Sequence, residues 1–263
     1  NADAVICNGL FLYHDISEFK RLKFIQLTSA GLDRVPLDEI KERNIALFNA
    51  RGVYSVPMAE FALAGVLNLY KHLNTFFESQ KAHLWQKDRN LRELCGETVA
   101  IVGCGSAGTE CAKRFSAFGT RVIAVDIAKP KSEIYSEFYD ITNIEKALNI
   151  ADAVVLTIPL TDETRGMFNS EMFSHFKDGS VLVNVSRGAV VNENDLINAL
   201  ENGKLSGAVL DVFENEPLDE NSALWDMKNV ITTPHNSFVS KKNNARLFSL
   251  AYDNLKFSMK GLV

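Results

Sequence analysis

The sequence predicts an α/β protein with a doubly wound parallel sheet in one domain and a smaller α/β domain beside it. From residue 98 onward, apolar runs of strand length alternate with helical patterns, which is typical of a parallel sheet. A glycine-rich turn follows the first of these runs. The first 50 residues repeat the alternation on shorter elements. The composition, 46% apolar and 23% charged, is that of an ordinary globular protein.

The larger domain is predicted to begin its sheet with a strand at residues 98–102. This run is continuously apolar, as expected for a parallel strand that is covered on both faces. The glycine-rich turn then opens a helix that continues to about Phe118 and ends at Gly119. A second strand, at residues 121–125, ends at Asp126. Further strands are predicted at residues 153–158, 181–185, 208–210 and 230–232.

One helix of this domain has both a start and a stop signal in the sequence. Asn192 is a suitable N-cap, Asp195 follows three residues later, and Gly203 marks the end. Leu196 and Leu200 then share one apolar face.

The smaller domain is predicted from the two ends of the chain. Strands at residues 4–7, 24–27 and 46–48 flank a helix at 37–43. A long helix at 57–74, with Pro57 in its first turn, leads into the larger domain, and a final helix at about 240–260 returns. We therefore assign residues 1–51 and 240–263 to the smaller domain and 52–239 to the larger one. A cleft between two such domains is a common ligand site.

The first strand, at residues 4–7, resembles a core strand but has no element before it, and residue 1 is not methionine. We therefore expect the smaller domain to be incomplete at its N-terminus.

Composition and charge exclude several classes of function. The formal net charge of −5 argues against a nucleic-acid partner, which usually binds a basic face. No apolar run approaches the ~20 residues of a membrane span, so no membrane partner is expected. The four cysteines show no spacing typical of a metal site, which favours reduced thiols in a cytoplasmic protein and no metal.

The glycine-rich turn predicts a dinucleotide site. Gly103, Gly105 and Gly108 form a GxGxxG pattern between a strand and a helix, which is the context that this motif requires. Ser106 and Ala107 lie in the first turn of that helix, whose N–H groups and dipole attract phosphates.

Asp126 indicates which dinucleotide is bound. It lies 18 positions after Gly108, at the end of the next strand. A carboxylate there accepts hydrogen bonds from the ribose hydroxyls and repels a 2′-phosphate. The expected cofactor is therefore NAD rather than NADP.

Three polar residues follow later strands and are candidates for catalysis. Arg187 precedes Gly188 just beyond a strand, where a guanidinium can hold a carboxylate through two parallel hydrogen bonds. His235 follows a strand and a Thr-Pro turn, unlike the other four histidines, and is the best acid–base candidate. Either Glu214 or Glu216 could accompany it, and the residues alone leave that choice open.

From Ser29 to its end, the chain resembles the D-isomer-specific 2-hydroxyacid dehydrogenases, which include phosphoglycerate dehydrogenases and hydroxypyruvate reductases. The resemblance rests on five motifs. They are Gly103-x-Gly105-x-x-Gly108 with Asp126, Pro159-Leu160-Thr161, Asn184-Val185-Ser186-Arg187-Gly188, Asp211-Val212-Phe213-x-x-Glu216-Pro217 and Thr233-Pro234-His235. The resemblance implies a Rossmann-type nucleotide domain, a flavodoxin-like substrate domain, and an NAD-dependent enzyme that interconverts a 2-oxo acid and a D-2-hydroxy acid.

The resemblance also implies roles for individual residues. Arg187 would bind the carboxylate and carbonyl of the substrate, His235 would donate and accept the proton, and Glu216 rather than Glu214 would pair with His235. Ala30 and Gly31 match the segment whose backbone N–H groups hold the substrate carboxylate. Four residues match positions around the cofactor: Thr157, Pro159, Ser186 and Asp211. The helix at 57–74 matches the region where family members form homodimers.

The chain departs from the family pattern in two places. Asn236-Ser237-Phe238 replaces the small, glycine-containing run that often follows the histidine. The smaller domain also lacks its usual first strand–helix units, where we expect the residues that select the side chain of the substrate.

Three alternative functions share these motifs. Formate dehydrogenases have the same scaffold, arginine and histidine, but that branch carries glutamine where Glu216 stands. An NAD(H)-sensing interaction protein, similar to the corepressor members of the family, would retain the same catalytic trio. A chain with an incomplete smaller domain could also bind NAD without turnover.

Overall fold

A computed structural model describes residues 2–260 of the chain. The structure divides into two compact units. The smaller unit contains the chain up to Ser55 and from Val239 onward, and the larger unit contains Val56–Phe238. Each unit contains one parallel β-sheet with helices packed on it. The α/β fold class, with a Rossmann-type larger sheet and a smaller parallel sheet, is confirmed.

The larger unit contains a seven-stranded sheet in which every pairing is parallel. Its strands are β4 Thr98–Val102, β5 Arg121–Asp126, β6 Glu137–Asp140, β7 Ala153–Leu156, β8 Ser180–Asn184, β9 Leu205–Leu210 and β10 Val230–Thr232. The spatial order is β10-β9-β8-β7-β4-β5-β6. Strands β5 and β6 follow β4 on one side, whereas β7 to β10 follow on its other side. The strand order therefore reverses between β4 and β7, and ligands of such sheets bind at this switch point.

Helices cover both faces of this sheet. They are α2 Ser55–Tyr70, α4 Ser106–Ala117, α5 Ile144–Leu148, α6 Ser170–Ser174 and α7 Glu193–Glu201. Helix α3 Leu73–Lys81, which follows α2, contributes no buried residue. Side chains of α2 and α4 share one buried cluster with the sheet, and those of α5, α6 and α7 share the other. Burial on both faces explains why the strands are continuously apolar.

The smaller unit contains a three-stranded parallel sheet in the order β1-β2-β3. Its elements are β1 Ala4–Cys7, β2 Phe24–Leu27, α1 Leu37–Glu42, β3 Ala46–Phe48 and α8 Asn243–Lys260, with short 3-10 turns at Leu10–Leu12 and Ile16–Glu18. Every residue of the central strand β2 is buried. The expectation that β1 is a core strand is wrong, because its residues alternate between exposed and half-buried.

The long helix predicted at 57–74 is also wrong in its extent. Helix α2 begins two residues earlier, at Ser55, and ends at Tyr70. A second helix, α3, starts at Leu73 after His72, whose φ of 50° lies in the left-handed region. A helix cannot continue through a left-handed residue, so the chain breaks at His72. The apolar pattern of the sequence continues past this break and therefore does not predict it.

Other differences concern the ends of elements. The strand expected at 153–158 ends at Leu156, and the one expected at 181–185 runs from Ser180 to Asn184. The strand expected at 208–210 begins earlier, at Leu205. The Asn192 cap is present, since its side chain accepts a hydrogen bond from the Asp195 N–H. Asp195 itself accepts from the Ser170 N–H at 3.0 Å instead of closing a capping box.

Residues 2–260 contain neither a candidate membrane span nor a candidate metal cluster. None of their helices combines the length and the apolar character needed to cross a lipid bilayer. Within the same range, no three His, Cys, Asp or Glu side chains converge as ligands for a metal ion.

Candidate active site

Two candidate catalytic residues, Arg187 and His235, and the proposed cofactor residue Asp211 follow the carboxyl ends of neighbouring strands in the larger unit. Arg187 lies three residues after β8, Asp211 directly after β9, and His235 three residues after β10. These strands are adjacent in the sheet, and parallel neighbours lie about 4.8 Å apart. The topology therefore brings the three segments to one edge of the sheet.

His235 and Glu216 form a hydrogen-bonded pair. The Nδ1 atom of His235 lies 2.8 Å from Oε2 of Glu216. The other carboxylate oxygen, Oε1, accepts a hydrogen bond from the Phe213 N–H at 3.2 Å. Both side chains are about one-third exposed, at 33% and 37%. With Nδ1 engaged, Nε2 is the ring nitrogen that can exchange a proton with a ligand.

Glu214, the other carboxylate considered, is engaged elsewhere. Its Oε1 accepts a hydrogen bond from the Glu193 N–H at 2.9 Å. In return, Oε1 of Glu193 accepts from the Glu214 N–H. The fold thus gives the two glutamates of this turn different partners, and only Glu216 lies against the imidazole.

The loop that carries His235 is organised around Asp211, whose exposed fraction is 0%. Oδ1 of Asp211 accepts from the Thr233 hydroxyl at 2.6 Å and from the Asn236 N–H at 2.7 Å, and Oδ2 accepts from the Ser237 N–H at 2.9 Å. The Asp211 carbonyl accepts from the His235 N–H at 2.8 Å. Although expected near the cofactor, this carboxylate therefore makes its described hydrogen bonds with the histidine loop.

His235 itself has a left-handed backbone, with φ of 49°. Such a conformation is uncommon outside glycine and costs about 1 kcal/mol or more. The bonds on both sides of His235, to Thr233, Asn236 and Ser237, hold the backbone in place. The run after His235, which departs from the family pattern, thus helps to fix the histidine.

Asn184 shapes the turn that presents Arg187. Its Oδ1 accepts from the N–H and the hydroxyl of Ser186, at 3.0 and 2.8 Å, and its Nδ2 donates to the Arg187 carbonyl at 3.1 Å. Nη1 of Arg187 donates to the Ser186 carbonyl at 2.8 Å. The turn is thereby closed by a side chain that is itself buried.

Gly188 is required by the backbone that passes beside it. A Cβ added there would lie 1.8 Å from the Phe213 carbonyl carbon. The arginine turn and the turn that carries Glu216 therefore touch backbone to backbone. A side chain at position 188 would force them apart.

The glycine-rich loop has the geometry of a dinucleotide cradle. Gly103 has φ of 93°, and a Cβ on Gly108 would lie 1.9 Å from the Gly103 carbonyl oxygen. Gly105 is the N-cap of α4, and no side chain caps that helix. A tight loop and an uncapped helix N-terminus fit a pyrophosphate, because amide N–H groups then face the ligand. The residues present therefore suit the expected cofactor.

The loop is tied to the strands on both sides of it. Asp126 accepts from the Cys104 N–H at 2.5 Å and from the Ile127 N–H at 2.7 Å. The Thr157 hydroxyl donates to the Gly103 carbonyl at 2.5 Å. Burial raises the pKa of the Cys104 thiol to about 11, so this thiol stays protonated at neutral pH.

The other positions expected around the cofactor differ in burial and in their hydrogen bonds. Pro159 is exposed, and its carbonyl accepts from the Thr164 hydroxyl at 2.8 Å. Ser186 is buried and bonded to Asn184, as described above. Ser106 and Ala107 form the first turn of α4 and are half-buried.

Ala30 and Gly31 belong to the smaller unit. Nδ2 of Asn49 donates to the Ala30 carbonyl at 2.7 Å, and the Ser29 hydroxyl donates to the Gly31 carbonyl at 3.1 Å. The N–H and C=O of one trans peptide point in opposite directions. Asn49 therefore directs the Gly31 N–H away from itself.

Sequence reasoning assigned no role of their own to several residues of this region. Asn184 could have been recognised, because an asparagine that ends a strand before serine is a turn-forming pattern. Glu193 had no comparable signal, and the motif that contains Thr233 does not indicate its partner. Their partners lie 21 and 22 positions away in the sequence.

The chain matches the family model for the NAD-binding domain of D-isomer specific 2-hydroxyacid dehydrogenases over residues 63–237. It is 36% identical to a hydroxypyruvate reductase of Thermotoga maritima over 219 residues, which are 82% of this chain and 71% of that protein. Two solved structures, each 30% identical, are similar throughout. A D-lactate dehydrogenase of Aquifex aeolicus complexed with NAD and lactic acid aligns with a TM-score of 0.84, over 99% of this chain and 84% of the other. A D-isomer specific 2-hydroxyacid dehydrogenase of Xanthobacter autotrophicus with NADPH and MES aligns with a TM-score of 0.78, over 94% and 78%.

Proposed function

This chain belongs to the D-isomer-specific 2-hydroxyacid dehydrogenase family, and from that premise we propose how its residues carry out the reaction. It is an NAD-dependent oxidoreductase of 2-oxo and 2-hydroxy acids. The observation that carries the proposed mechanism is the hydrogen bond between His235 and Glu216, at the same sheet edge as Arg187.

In this mechanism Arg187 binds the substrate. A guanidinium forms two parallel hydrogen bonds to a planar acceptor group, which fixes orientation as well as charge. Arg187 would thereby hold the carboxylate and polarise the adjacent carbonyl. The Asn184-closed turn limits the positions that its backbone can take, which lowers the entropic cost of alignment.

His235 is the proposed acid and base. In the direction of reduction, its Nε2 donates a proton to the carbonyl oxygen, which becomes the hydroxyl of the product; in oxidation the same nitrogen removes that proton. Glu216 holds Nδ1 at 2.8 Å, orients the ring and stabilises the positive charge of the imidazolium. When bound, NADH supplies the hydride that reduces the carbonyl carbon.

We propose that Gly103, Gly105, Gly108 and the first turn of α4 hold the pyrophosphate of NAD, and that Asp126 accepts from the adenosine ribose. Asp126 is already fixed by the Cys104 N–H of the loop and by the N–H of its own neighbour Ile127. A carboxylate held there disfavours the 2′-phosphate of NADP by charge repulsion. Thr157, Pro159, Ser186 and Asp211 would lie around the rest of the cofactor site.

The substrate domain is proposed to consist of residues 1–51 and 240–263, and the cofactor domain of residues 52–239. The compact units, divided after Ser55 and after Phe238, support nearly the same boundaries. We propose that the Ala30 and Gly31 N–H groups bind the substrate carboxylate. The orientation of the Gly31 peptide by Asn49 supports this assignment.

We further propose a homodimer formed through the 57–74 region. Apolar side chains at its end and just beyond it are exposed, including Leu73, Phe77, Leu84 and Trp85. An exposed group of large apolar residues favours a protein–protein contact.

We also propose a cytoplasmic location. It is supported by the four cysteines, all present as thiols, and fractionation of cells would test it.

The proposal is tested by following NADH and NADPH oxidation with a panel of 2-oxo acids. The panel consists of glyoxylate, hydroxypyruvate, pyruvate, branched-chain 2-oxo acids and phosphohydroxypyruvate. We expect NADH-dependent reduction of at least one of them. Arg187→Ala and His235→Ala should each lower kcat/KM by about 1,000-fold or more, whereas His14→Ala, at an exposed position of the smaller unit, should not.

The direction of the pH dependence is a second readout of the same experiment. Reduction requires protonated His235, so its rate should fall as pH rises, while the rate of oxidation should rise. Equal slopes in both directions, or full activity of both alanine variants, would contradict the mechanism.

A further inference from the structure

The turn that carries Glu216 is fastened to the start of helix α7 by two crossed hydrogen bonds. The Glu193 N–H donates to Oε1 of Glu214 at 2.9 Å, and the Glu214 N–H donates to Oε1 of Glu193. Each glutamate thus supplies one donor from its backbone and one acceptor from its side chain. We refer to Glu193 and Glu214 with these two bonds as the glutamate clasp.

The clasp lies on a continuous path to the catalytic pair. Glu214 is next to Phe213, whose N–H donates to Oε1 of Glu216 at 3.2 Å. The opposite oxygen of Glu216 bonds His235 at 2.8 Å. Rotation of the turn at Glu214 would therefore turn the Phe213 amide and move the carboxylate that orients the imidazole.

The clasp acts on the same two chain segments that already meet at Gly188. Gly188 lies in backbone contact with Phe213, and the chain continues from Gly188 to Glu193 at the start of α7. The clasp and the Gly188 contact thus join the two segments at two points. A joint with two points of attachment resists rotation, which one contact alone does not.

We propose that Glu193 and Glu214 are positioning residues that hold Glu216, and through it His235, in the orientation needed for proton transfer. This inference depends on the proposed function of His235 and Glu216. Neither glutamate of the clasp is assigned contact with substrate or cofactor. The positioning role requires only that each side chain keeps the oxygen that accepts a hydrogen bond from the other residue's N–H.

The electrostatics of the clasp agree with a positioning role. Burial raises the pKa of Glu193; the Glu214 N–H opposes that shift and the Glu214 charge adds to it. The Glu214 charge therefore disfavours the charged form of Glu193. A glutamine would accept the same hydrogen bond without the repulsion, so a purely positional role predicts that glutamine is tolerated.

The test compares alanine and glutamine at each position of the clasp in the full chain. Glu193→Ala and Glu214→Ala should each lower kcat about tenfold, as supporting residues of a catalytic site commonly do, with KM for NADH and oxo acid within about twofold of the original. Glu193→Gln and Glu214→Gln should restore kcat. Glu201→Ala, at the exposed other end of α7, is the matched control and should leave kcat unchanged.

Glu216→Gln separates positioning from direct pairing with the histidine. We expect it to lower kcat far more than Glu214→Gln does, because only Glu216 bonds the imidazole. Equal losses in the two glutamine variants would overturn the inference, because the charge of Glu214 would then matter as much as that of the residue that bonds the imidazole. Glutamine variants as impaired as the alanine ones would also overturn it.

A readout without turnover separates this inference from the proposed function. Imidazole ¹H–¹⁵N NMR spectra, with the His235 signals assigned by loss in His235→Ala, report the Nδ1 hydrogen bond directly. The Nδ1 signal should shift in both clasp alanine variants and stay in place in the glutamine variants. An unshifted signal with unchanged kcat would overturn the clasp, whereas these shifts in a protein that reduces no 2-oxo acid would contradict only the proposed function.

Discussion

The two units of this protein are both parallel α/β structures, yet they bury their strands differently. In the larger unit, residues 99–102 of β4 are completely buried between two layers of helices. In the smaller unit, β1 alternates between exposed and half-buried residues, and Ile6 is 64% exposed. A short apolar run is thus compatible with either environment. What distinguishes them is whether neighbouring elements cover both faces, which the run itself does not show.

The same contrast holds for buried polar groups. Each unit contains one with no exposed surface, Asp211 in the larger and Gln26 in the smaller. Asp211 receives three hydrogen bonds from a loop that carries a candidate catalytic residue. Gln26 donates to the carbonyl of its own neighbour Leu27 and accepts from Asn254, both at 2.8 Å. The first network organises a site, and the second joins a strand to a helix.

The largest expected effect, on stability and kcat together, follows from this difference. Asp211→Asn replaces one acceptor oxygen by an NH₂ group that faces a donor, which leaves buried groups unpaired. We expect a loss of about 3 kcal/mol in the free energy of unfolding, together with a decrease in kcat as the His235 loop loosens. Gln26→Leu should cost about 1 kcal/mol and leave kcat unchanged.

Urea unfolding followed by circular dichroism would measure both variants. Both tryptophans, Trp85 and Trp225, lie in the larger unit, so their fluorescence reports that unit separately. Equal losses in the two variants would show that the two buried groups have the same role, contrary to the comparison.

The second prediction concerns the strands themselves. Ile101 in β4 has no exposed surface, whereas Ile6 in β1 is mostly exposed. Ile101→Ala should cost about 2–5 kcal/mol, the usual range for truncation of a buried isoleucine, and Ile6→Ala less than about 0.5 kcal/mol. The comparison uses the same chemical change in two parallel strands, and free energies from urea unfolding would measure it. A cost above 2 kcal/mol at Ile6 would mean that this side chain is covered in solution.

The sequence predicts the larger sheet well, for a physical reason. Six of its seven strands are apolar runs between glycine, aspartate or asparagine turns, and all six were located within a few residues. The seventh, β6 at Glu137–Asp140, has a carboxylate at each end and is half-buried throughout. Because β6 is an edge strand, it lacks the continuous apolar run that identifies central strands.

The site is predictable only where its residues form local motifs. Gly103, Gly108 and Asp126 could be identified because they lie directly after β4, in the first turn of α4 and at the end of β5, respectively. The choice between Glu214 and Glu216 could not be made from the residues, since both are glutamates in one turn. In the structure, Glu214 is paired with Glu193, a residue 21 positions away in the sequence, and this contact distinguishes it from Glu216. Contacts of this kind have no periodic signal, so only the structure or a family resemblance identifies them.

The smallest expected effect contrasts the titration of one carboxyl group in each unit. Hydrogen bonds from Ser17 lower the pKa of Asp15, whereas burial raises the pKa of Glu193. A lowered pKa contributes stability that is present above the ordinary value of 3.8 and is lost as pH falls through the lowered value. A raised pKa contributes stability that is present below the ordinary value of 4.5 and is lost as pH rises through the raised one.

The two neutral variants should therefore respond to pH with opposite signs. Relative to the original protein, Glu193→Gln should become more stable as pH rises from 4.5 to 7.5, by less than about 1 kcal/mol because solvent screens the half-buried group. Asp15→Asn should become less stable relative to the original as pH rises from below 3.8 to 7.5. Melting temperatures of the three proteins across these ranges measure both slopes. Slopes of the same sign would show that burial does not govern Glu193, and the carboxylate of the clasp would then be held by its hydrogen bond alone.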